Sequence, residues 1–284
     1  MAGSDAGDAG DEPRCNPAAP FGPPSALERV VNTALSEDSA HLTADELTIY
    51  FTSPRGGGDH AGLNLWKATR TSRDGEFVDL TELTNVNSDF DESSPSLSAD
   101  EKTLYFRCGG RGDPSSGQLC VTSRNATTEE FSGGGFVMGP NVNLVDADEK
   151  DVAITRDSAS IYVASNRLGD YDILVADRRG DGSFSEPVSV TAPNMTGADE
   201  VSPTLSHDGL TLYFGSNRRA GGKQDIWKAV RSAGQPFGAP SAVEELNSDA
   251  DEIPVSLSAD GCVLYLSRFS QQGRFDIMAA RRGR

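Results

Sequence analysis

The sequence predicts an all-β protein, a five-bladed β-propeller of four-stranded blades that is closed by its N-terminal strand. One pattern occurs five times along the 284 residues, at intervals of 51 to 57 residues. Each copy has an aspartate in a predicted turn, a hydroxyl residue two positions before it and a tyrosine five positions after it. Repeats of about 50 residues that contain several short strands are typical of propeller blades. The aspartates that align the copies are Asp45, Asp100, Asp157, Asp208 and Asp260.

The fourth copy shows the predicted strands of a blade in order. The first strand covers residues 202–206, and the turn at 207–209 combines an aspartate, which accepts local hydrogen bonds, with a glycine that tolerates positive φ. The second strand, 210–216, is a continuous apolar run, as expected for a strand covered on both faces. The third strand covers residues 224–231. The segment 237–246 supplies an edge strand, where a proline is tolerated.

The two ends of the chain are expected to complete the fifth blade together. The fifth copy stops at Arg284, after its third strand and without an edge strand. The N-terminal segment PFGPPSALE, residues 20–28, matches PFGAPSAVE, residues 236–244, which belongs to the edge strand of the fourth copy. We therefore expect residues 21–31 to supply the missing strand and residues 21–284 to form one propeller domain. Residues 1–20 are small, acidic and rich in glycine and alanine, which predicts a flexible acidic tether.

The repeat resembles the WD40-like repeats named PD40, which occur in TolB-type propellers. The segments that carry the resemblance in the fourth copy are SPTLSHDG at 202–209, LYF at 212–214, SNR at 216–218 and DIW at 225–227. The resemblance implies a propeller fold and an exported bacterial protein of the cell envelope, in the periplasm or on the cell surface. TolB-type domains usually have six such blades and an additional N-terminal domain. Because the sequence departs from that pattern, the Pal-binding role of TolB is not carried over.

Charge and composition exclude several classes of function. The formal net charge is −18, so a nucleic-acid partner is not expected, since phosphate binding needs a basic stripe. No stretch approaches the 18 or so apolar residues of a membrane span. Residues 1–20 also lack the apolar core of a signal peptide, so the leader expected of an exported protein is not part of this sequence. We expect a monomer that needs no cofactor.

The four cysteines permit two disulfides, although an even count does not prove them. Cys108 ends one predicted strand of its blade and Cys120 lies on the next strand, across a hairpin. This pair is therefore a candidate disulfide, and the alternative is two unpaired small hydrophobic residues. The other two cysteines are Cys15 and Cys262. Paired cysteines fit an exported protein.

A glutamate eight residues before every turn aspartate is the most regular candidate for a functional pattern. The strand directions place these glutamates around one mouth of the central channel, with three arginines on the same face. One interpretation is a carboxylate-lined mouth for a divalent cation or a basic group. The other is a ring of ion pairs and hydrogen bonds that holds the blades, which is favoured because a ligand is rarely five-fold symmetric. The residues are Glu37, Glu92, Glu149, Glu200 and Glu252, with Arg55, Arg167 and Arg218.

The loops between the second and third strands are longest in blades one and two, on that same rim. They contain Asp59, His60, Arg111 and Asp113, which are further binding candidates because long loops on a rigid scaffold concentrate binding residues. Ordinary surface variation is the alternative. Catalysis has little support, since no histidine has a nucleophile at a recognisable spacing and no Gly-x-Ser-x-Gly segment occurs.

We therefore predict a non-enzymatic binding or scaffold module of the cell envelope that uses one rim of the propeller to bind a protein or a glycan. The alternative is a carbohydrate-active enzyme, a glycosidase or lyase, that uses the acidic channel mouth. That alternative is weaker, because the carboxylates repeat by symmetry whereas acid and base roles need different environments. No catalytic or metal-ligating residue is assigned.

Overall fold

The computed structural model describes residues 14–56, 62–110 and 117–284. In these ranges the chain forms twenty β-strands and no helix. The strands make five four-stranded antiparallel sheets, each built mainly from consecutive strands. The predicted fold class, a five-bladed β-propeller, is confirmed.

Each blade runs from an innermost strand at the central channel to a short edge strand. Blade one contains β2 (Asp38–Leu42), β3 (Thr48–Ser53), β4 (Asn64–Thr69) and β5 (Asp79–Glu82). Blade two contains β6 (Glu92–Leu97), β7 (Thr103–Gly109), β8 (Gly117–Ser123) and β9 (Phe136–Val137). Blade three contains β10 (Glu149–Ile154), β11 (Ser160–Ser165), β12 (Asp172–Asp177) and β13 (Val188–Ser189). Blade four contains β14 (Glu200–Leu205), β15 (Thr211–Ser216), β16 (Asp225–Val230) and β17 (Ser241–Ala242). Blade five contains β18 (Glu252–Leu257), β19 (Val263–Phe269), β20 (Phe275–Arg281) and, from the N-terminus, β1 (Ser25–Ala26).

The N-terminal strand closes the ring as the sequence predicts. β1 pairs antiparallel with β20, with Ser25 opposite Ala279 and Ala26 opposite Met278. The neighbouring Phe21 forms a further antiparallel bridge with Arg282. The edge of β20 is thereby covered, and the outer edge of blade five is a strand of only two residues, which limits pairing with another chain.

Residues 14–20, which the sequence assigns to the tether, contact the propeller instead. Cys15 is buried and forms a disulfide with Cys262 in blade five. Arg14 pairs with Glu46 at 2.6 Å and with Asp260 at 2.9 Å. A covalent link and two ion pairs therefore hold a segment whose composition alone suggests flexibility. Residues 1–13 of the predicted tether lie outside the described residues.

The candidate disulfide of blade two is present. Cys108 on β7 is joined to Cys120 on β8, with their Cα atoms 5.8 Å apart. Both cysteines are fully buried. The disulfide therefore joins the second and third strands of blade two.

The repeated tyrosine joins each blade to the next. The hydroxyl of Tyr162 in blade three accepts a hydrogen bond from Arg231 of blade four, and that guanidinium lies 4.4 Å from the ring centroid of Phe237. Arg231 Nε also donates to the Gly209 carbonyl at 2.9 Å. The arrangement occurs at all five blade junctions, as Tyr50–Arg124–Phe131, Tyr105–Arg178–Phe184, Tyr162–Arg231–Phe237, Tyr213–Arg282–Phe21 and Tyr265–Arg70–Phe77. The N-terminal segment thus also supplies Phe21 to the junction between blades four and five.

The innermost strands divide the central channel into two spaces. A narrow waist of about 30 Å³ is lined by the residues five positions before the turn aspartates, namely Ala40, Pro95, Val152, Pro203 and Val255. On one side lies a cavity of about 430 Å³, at the rim where the five glutamates begin the innermost strands. On the other lies a chamber of about 210 Å³, at the rim formed by the turns between the first and second strands. We call these the glutamate-side cavity and the turn-side chamber.

Candidate functional site

The repeated glutamates are fully buried and have internal partners. Glu200 has no exposed surface. Its Oε1 accepts hydrogen bonds from Ser216 Oγ at 2.6 Å and from Arg218 Nη2 at 3.0 Å. Its Oε2 accepts a hydrogen bond from the backbone N–H of Met195 at 2.9 Å, in the linker that enters the blade. The carboxylate therefore joins the second strand, the following loop and the linker.

The predicted arginines are the ion-pair partners of three of these glutamates. The guanidinium nitrogens of Arg55, Arg167 and Arg218 lie 3.1, 2.8 and 3.0 Å from the carboxylates of Glu37, Glu149 and Glu200, respectively. In each of these blades a serine of the second strand also donates to the glutamate. The sequence predicts these residues on one rim but does not predict their pairing.

In blades two and five the buried glutamate has other partners. In blade five, Arg268 occupies the serine position and pairs with Glu252 at 2.8 Å. In blade two, the backbone N–H of Ser88 donates to Glu92 at 2.8 Å. All five glutamates are at 0% exposure, so they lie inside the blades rather than around an open mouth.

Burial changes the pKa of two of the glutamates. It raises the pKa of Glu149 and Glu200, while hydrogen bonds and charge from their serine and arginine partners act in the opposite direction. Both carboxylate oxygens of Glu200 already accept internal hydrogen bonds, and such a buried carboxylate is poorly suited to bind a further cation. Glu149 pairs with Arg167 through Oε1, while its Oε2 has no hydrogen-bond partner among the described residues. The geometry favours the structural interpretation of the ring.

Sequence reasoning missed an asparagine that precedes each glutamate by five or six residues. Asn194 Nδ2 donates to the Ile173 carbonyl at 2.8 Å and its Oδ1 accepts from the Ile173 N–H at 2.9 Å. This bidentate pair satisfies the backbone of the third strand where the short edge strand has ended. The same pair of contacts is made by Asn32, Asn87, Asn143 and Asn247. The regular spacing between these asparagines and the glutamates is visible in the sequence and could have revealed their shared role.

The position after each buried glutamate differs in every blade. All five of these side chains line the glutamate-side cavity. Because the glutamates before them repeat and these five residues do not, this position contributes to the asymmetry of the cavity. The five residues are Asp38, Ser93, Lys150, Val201 and Ile253.

Asp38 and Asp151 are the acidic groups nearest the waist, and they differ in environment. Burial raises the pKa of Asp38, against hydrogen bonds from Ser267 and from the Ser39 N–H, and the charge of Asp151 adds to the rise. Asp151 accepts hydrogen bonds from Ser94 Oγ at 2.7 Å and from the N–H and Oγ of Ser202 at 3.0 and 3.2 Å. Asp151 thus ties blades two, three and four together.

The serines bound by Asp151 have an unusual backbone. Ser94 and Ser202 have φ values of 52° and 51°, a left-handed conformation that is uncommon for a residue other than glycine. Such strain persists where surrounding contacts enforce it, and it is frequent at ligand sites. Here the hydrogen bonds to Asp151 supply part of that enforcement.

A second group of charges lies at the outer part of the same cavity. Arg107 pairs with Asp148 at 3.2 Å, and Asp148 accepts a hydrogen bond from the Tyr171 hydroxyl at 2.6 Å. Burial alone would raise the pKa of Asp148, but these two partners lower it below its usual range. The ammonium of Lys150 lies 5.0 Å from the ring centroid of Tyr171, which is a cation–π distance. Charges of both signs therefore line the cavity beside an aromatic ring.

The loop candidates Asp59, His60, Arg111 and Asp113 lie outside the described residues, and their binding roles stay predictions. In the described ranges, no group of three or more His, Cys, Asp or Glu is placed to hold a metal ion. The same ranges contain no helix with the length and hydropathy of a membrane span.

Solved structures show the same fold at low sequence identity. No family model matches the chain, and no curated protein matches its sequence. TolB from Acinetobacter baumannii aligns with 18% identity and a TM-score of 0.53, over 89% of this chain and 57% of that one. A thermostable family-43 glycoside hydrolase aligns with 13% identity and a TM-score of 0.57, over 89% and 91%. A glycosyl hydrolase from Bacteroides ovatus aligns with 12% identity and a TM-score of 0.56, over 93% and 94%.

These likenesses concern the fold alone. The chain is similar in architecture to a TolB propeller and to glycoside hydrolases, and it spans little more than half the length of the TolB chain. The predicted TolB-like propeller is supported. Membership of the PD40 repeat family stays a prediction, because no family model matches.

Proposed function

We propose that this protein is a non-enzymatic binding module of the cell envelope that takes a polar ligand in the glutamate-side cavity. The observation that carries the proposal is the contrast between two adjacent repeat positions. The first position is a glutamate in all five blades, and its carboxylate binds other residues of the protein. The next position is different in all five and faces the cavity.

The cavity has the size and chemistry of a ligand site. Its volume of about 430 Å³ lies within the range of about 300–1,000 Å³ that is common for small-molecule pockets. Asp38 and Lys150 supply opposite charges, and Ser36, Ser93 and Ser94 supply hydroxyl groups. A ligand rich in hydrogen-bond donors and acceptors fits this lining, such as an envelope glycan or a polar side chain of an envelope protein.

Binding fits the acidic residues better than catalysis does. A glycosidase needs two carboxyl groups with separate acid and base or nucleophile roles. Asp151 already accepts three hydrogen bonds that hold neighbouring blades. Asp251, another acidic residue of the cavity, accepts from the Gln224 N–H at 2.8 Å and lies 3.7 Å from Lys223. Among the described acids that line the cavity, neither Asp151 nor Asp251 is therefore free to act as the second catalytic carboxylate beside Asp38.

An envelope location agrees with the disulfides. Two are present in the described structure, Cys15–Cys262 and Cys108–Cys120, and disulfides persist in oxidising compartments. The resemblance of the repeats to exported propellers points the same way.

A thermal-shift screen tests the binding proposal, because a ligand of the native state raises its melting temperature. The screen uses purified peptidoglycan fragments, envelope oligosaccharides and candidate envelope proteins. A true ligand is expected to raise the Tm of the wild type and of Lys102→Ala, which removes one charge on the opposite rim. It is expected to raise the Tm of Lys150→Ala much less. A ligand that stabilises all three proteins equally would place binding outside the cavity and contradict the proposal.

The second candidate is a carbohydrate-active enzyme, favoured by the raised pKa of Asp38 beside a second carboxyl group. A raised pKa is what a general acid requires. The measurement is product release from envelope oligosaccharides and aryl glycosides, followed by mass spectrometry, for the wild type and Asp38→Asn. The binding proposal predicts intact substrates in both cases. Products that depend on Asp38 would establish the enzyme instead.

A further inference from the structure

The turn-side chamber, at the opposite end of the channel from the proposed ligand cavity, has an apolar ring. The residues three positions before the turn aspartates are all aliphatic and all line the chamber, which has a volume of about 210 Å³. They are Leu42, Leu97, Ile154, Leu205 and Leu257. The narrow waist beyond them includes the apolar residues Ala40, Pro95, Val152, Pro203 and Val255. The floor of the chamber therefore suits a compact apolar group.

The entrance of the chamber carries an unrepeated basic pair. The position just before the turn aspartate is alanine in blades one, two and five, but it is Arg156 in blade three and His207 in blade four. Both side chains are exposed. Slight desolvation of its ring and the nearby charge of Arg156 lower the pKa of His207, against the opposing charge of Asp208. Neither residue forms an ion pair or a side-chain hydrogen bond in the described parts of the chain.

This lack of pairing is unusual in so acidic a protein. The chain has a net charge of −18, and the acids nearest the entrance are engaged elsewhere. Glu101 accepts a hydrogen bond from the Ala44 N–H at 3.0 Å. Asp208 accepts from Ser206 Oγ at 2.6 Å and from the Leu210 N–H at 3.0 Å, within its own turn.

The chamber wall also holds one polar side chain that differs from its repeat equivalents. His41 lies where the other blades have Ser96, Ala153, Thr204 and Ser256. Its imidazole lines the chamber and makes no hydrogen bond to any described residue. Burial lowers the pKa of His41 to about 4, so at neutral pH the ring offers one donor and one acceptor.

We propose that the turn-side chamber is a second ligand site, for a small organic acid with a compact apolar body. The carboxylate lies between Arg156 and His207, the apolar body lies against the aliphatic ring, and a polar atom of the ligand reaches His41. The chamber is smaller than the pockets of about 300 Å³ and above that take drug-sized ligands. A short branched or cyclic monocarboxylate is therefore the class of ligand that fits.

The experiment is an NMR titration of the full chain with 4-methylpentanoate as the probe. The expected Kd is about 1 mM, a weak affinity that is usual for a ligand of only about eight non-hydrogen atoms. Because the chain has only three histidines, their imidazole signals can be assigned with single substitutions. Saturation is expected to raise the pKa of His207, since a nearby negative charge favours the imidazolium form. The neutral amide of the same acid is expected to bind at least about tenfold more weakly, since it cannot pair with the arginine.

The repeat itself supplies the matched variants. Arg156→Ala installs the residue that three other blades already have at this position, and the fold is expected to be unchanged. It should weaken binding of the acid by about tenfold or more, while the control Lys102→Ala, which removes a charge elsewhere on the same rim, should bind as the wild type does. The proposal is overturned if no saturable shift occurs at the chamber residues, if acid and amide bind equally, or if Arg156→Ala retains wild-type affinity.

Discussion

Replacement of Glu200 by glutamine is expected to destabilise the propeller although it changes few atoms. The amide retains one oxygen that can accept from Ser216 and Arg218. Its NH2 group, however, then faces the N–H of Met195, which donates to Oε2 in the wild type at 2.9 Å. A buried donor without an acceptor costs about 1–3 kcal/mol. The half-buried guanidinium of Arg218 also loses its counter-charge.

The cost of the unpaired donor and the cost of the lost counter-charge do not add fully. Burial disfavours the charged form of Glu200 and raises its pKa, so removal of the charge also relieves a desolvation penalty. We therefore expect a loss of about 2–3 kcal/mol in the free energy of unfolding. For a domain of this size that corresponds to a decrease in Tm of about 4–6 °C. Urea unfolding followed by circular dichroism measures the change, and Glu186→Gln is the control because Glu186 is exposed. A Glu200→Gln variant as stable as the wild type would refute the structural assignment of the ring.

Three further outcomes are expected from the same geometry. Tyr162→Phe removes the hydroxyl that accepts from Arg231 and should cost about 1 kcal/mol in urea unfolding, with unchanged near-ultraviolet spectra of the two tryptophans. Deletion of residues 1–13 should leave the Tm unchanged, whereas deletion of 1–32 removes β1, the Phe21 ring and Cys15 and should cause aggregation detectable by light scattering. His41 has a folded-state pKa of about 4, below its unfolded value of about 6.5. Its contribution to stability is therefore present above pH 6.5 and is lost as the pH falls toward 4, and His41→Gln should flatten that part of the stability profile.

Much of the fold could be predicted from the sequence because it repeats. The turn aspartates fix the register of five copies, and the match between residues 20–28 and 236–244 predicts how β1 closes blade five. The roles of the repeated tyrosines could not be predicted, because their arginine partners lie in the neighbouring blade. Contacts between blades depend on three-dimensional packing that a pattern within one copy does not contain.

The candidate site was predictable only in part. The sequence predicts the glutamates around one mouth of the channel, whereas the structure buries all five inside the blades. Their burial depends on the linkers and serines that surround them. The docking of residues 14–20 depends on a disulfide between Cys15 and Cys262, whose separation of 247 residues gives no local signal. The varied position at Asp38 and Lys150 was visible in the sequence. It gained meaning once the structure showed five unlike side chains facing one cavity.

The central claim is that the five repeated glutamates stabilise the fold and do not bind a cation. A calcium titration tests this claim most directly. The Tm of the wild type and of Glu200→Gln is measured with and without calcium, and magnesium is included as a second cation. Internal ion pairs predict that neither cation changes the Tm of the wild type and that the variant is less stable under every condition. A cation site predicts a calcium-dependent rise of the wild-type Tm that is reduced by the substitution. A variant that is as stable as the wild type or more so without calcium would also contradict the structural role, since removal of one carboxylate would then have relieved repulsion.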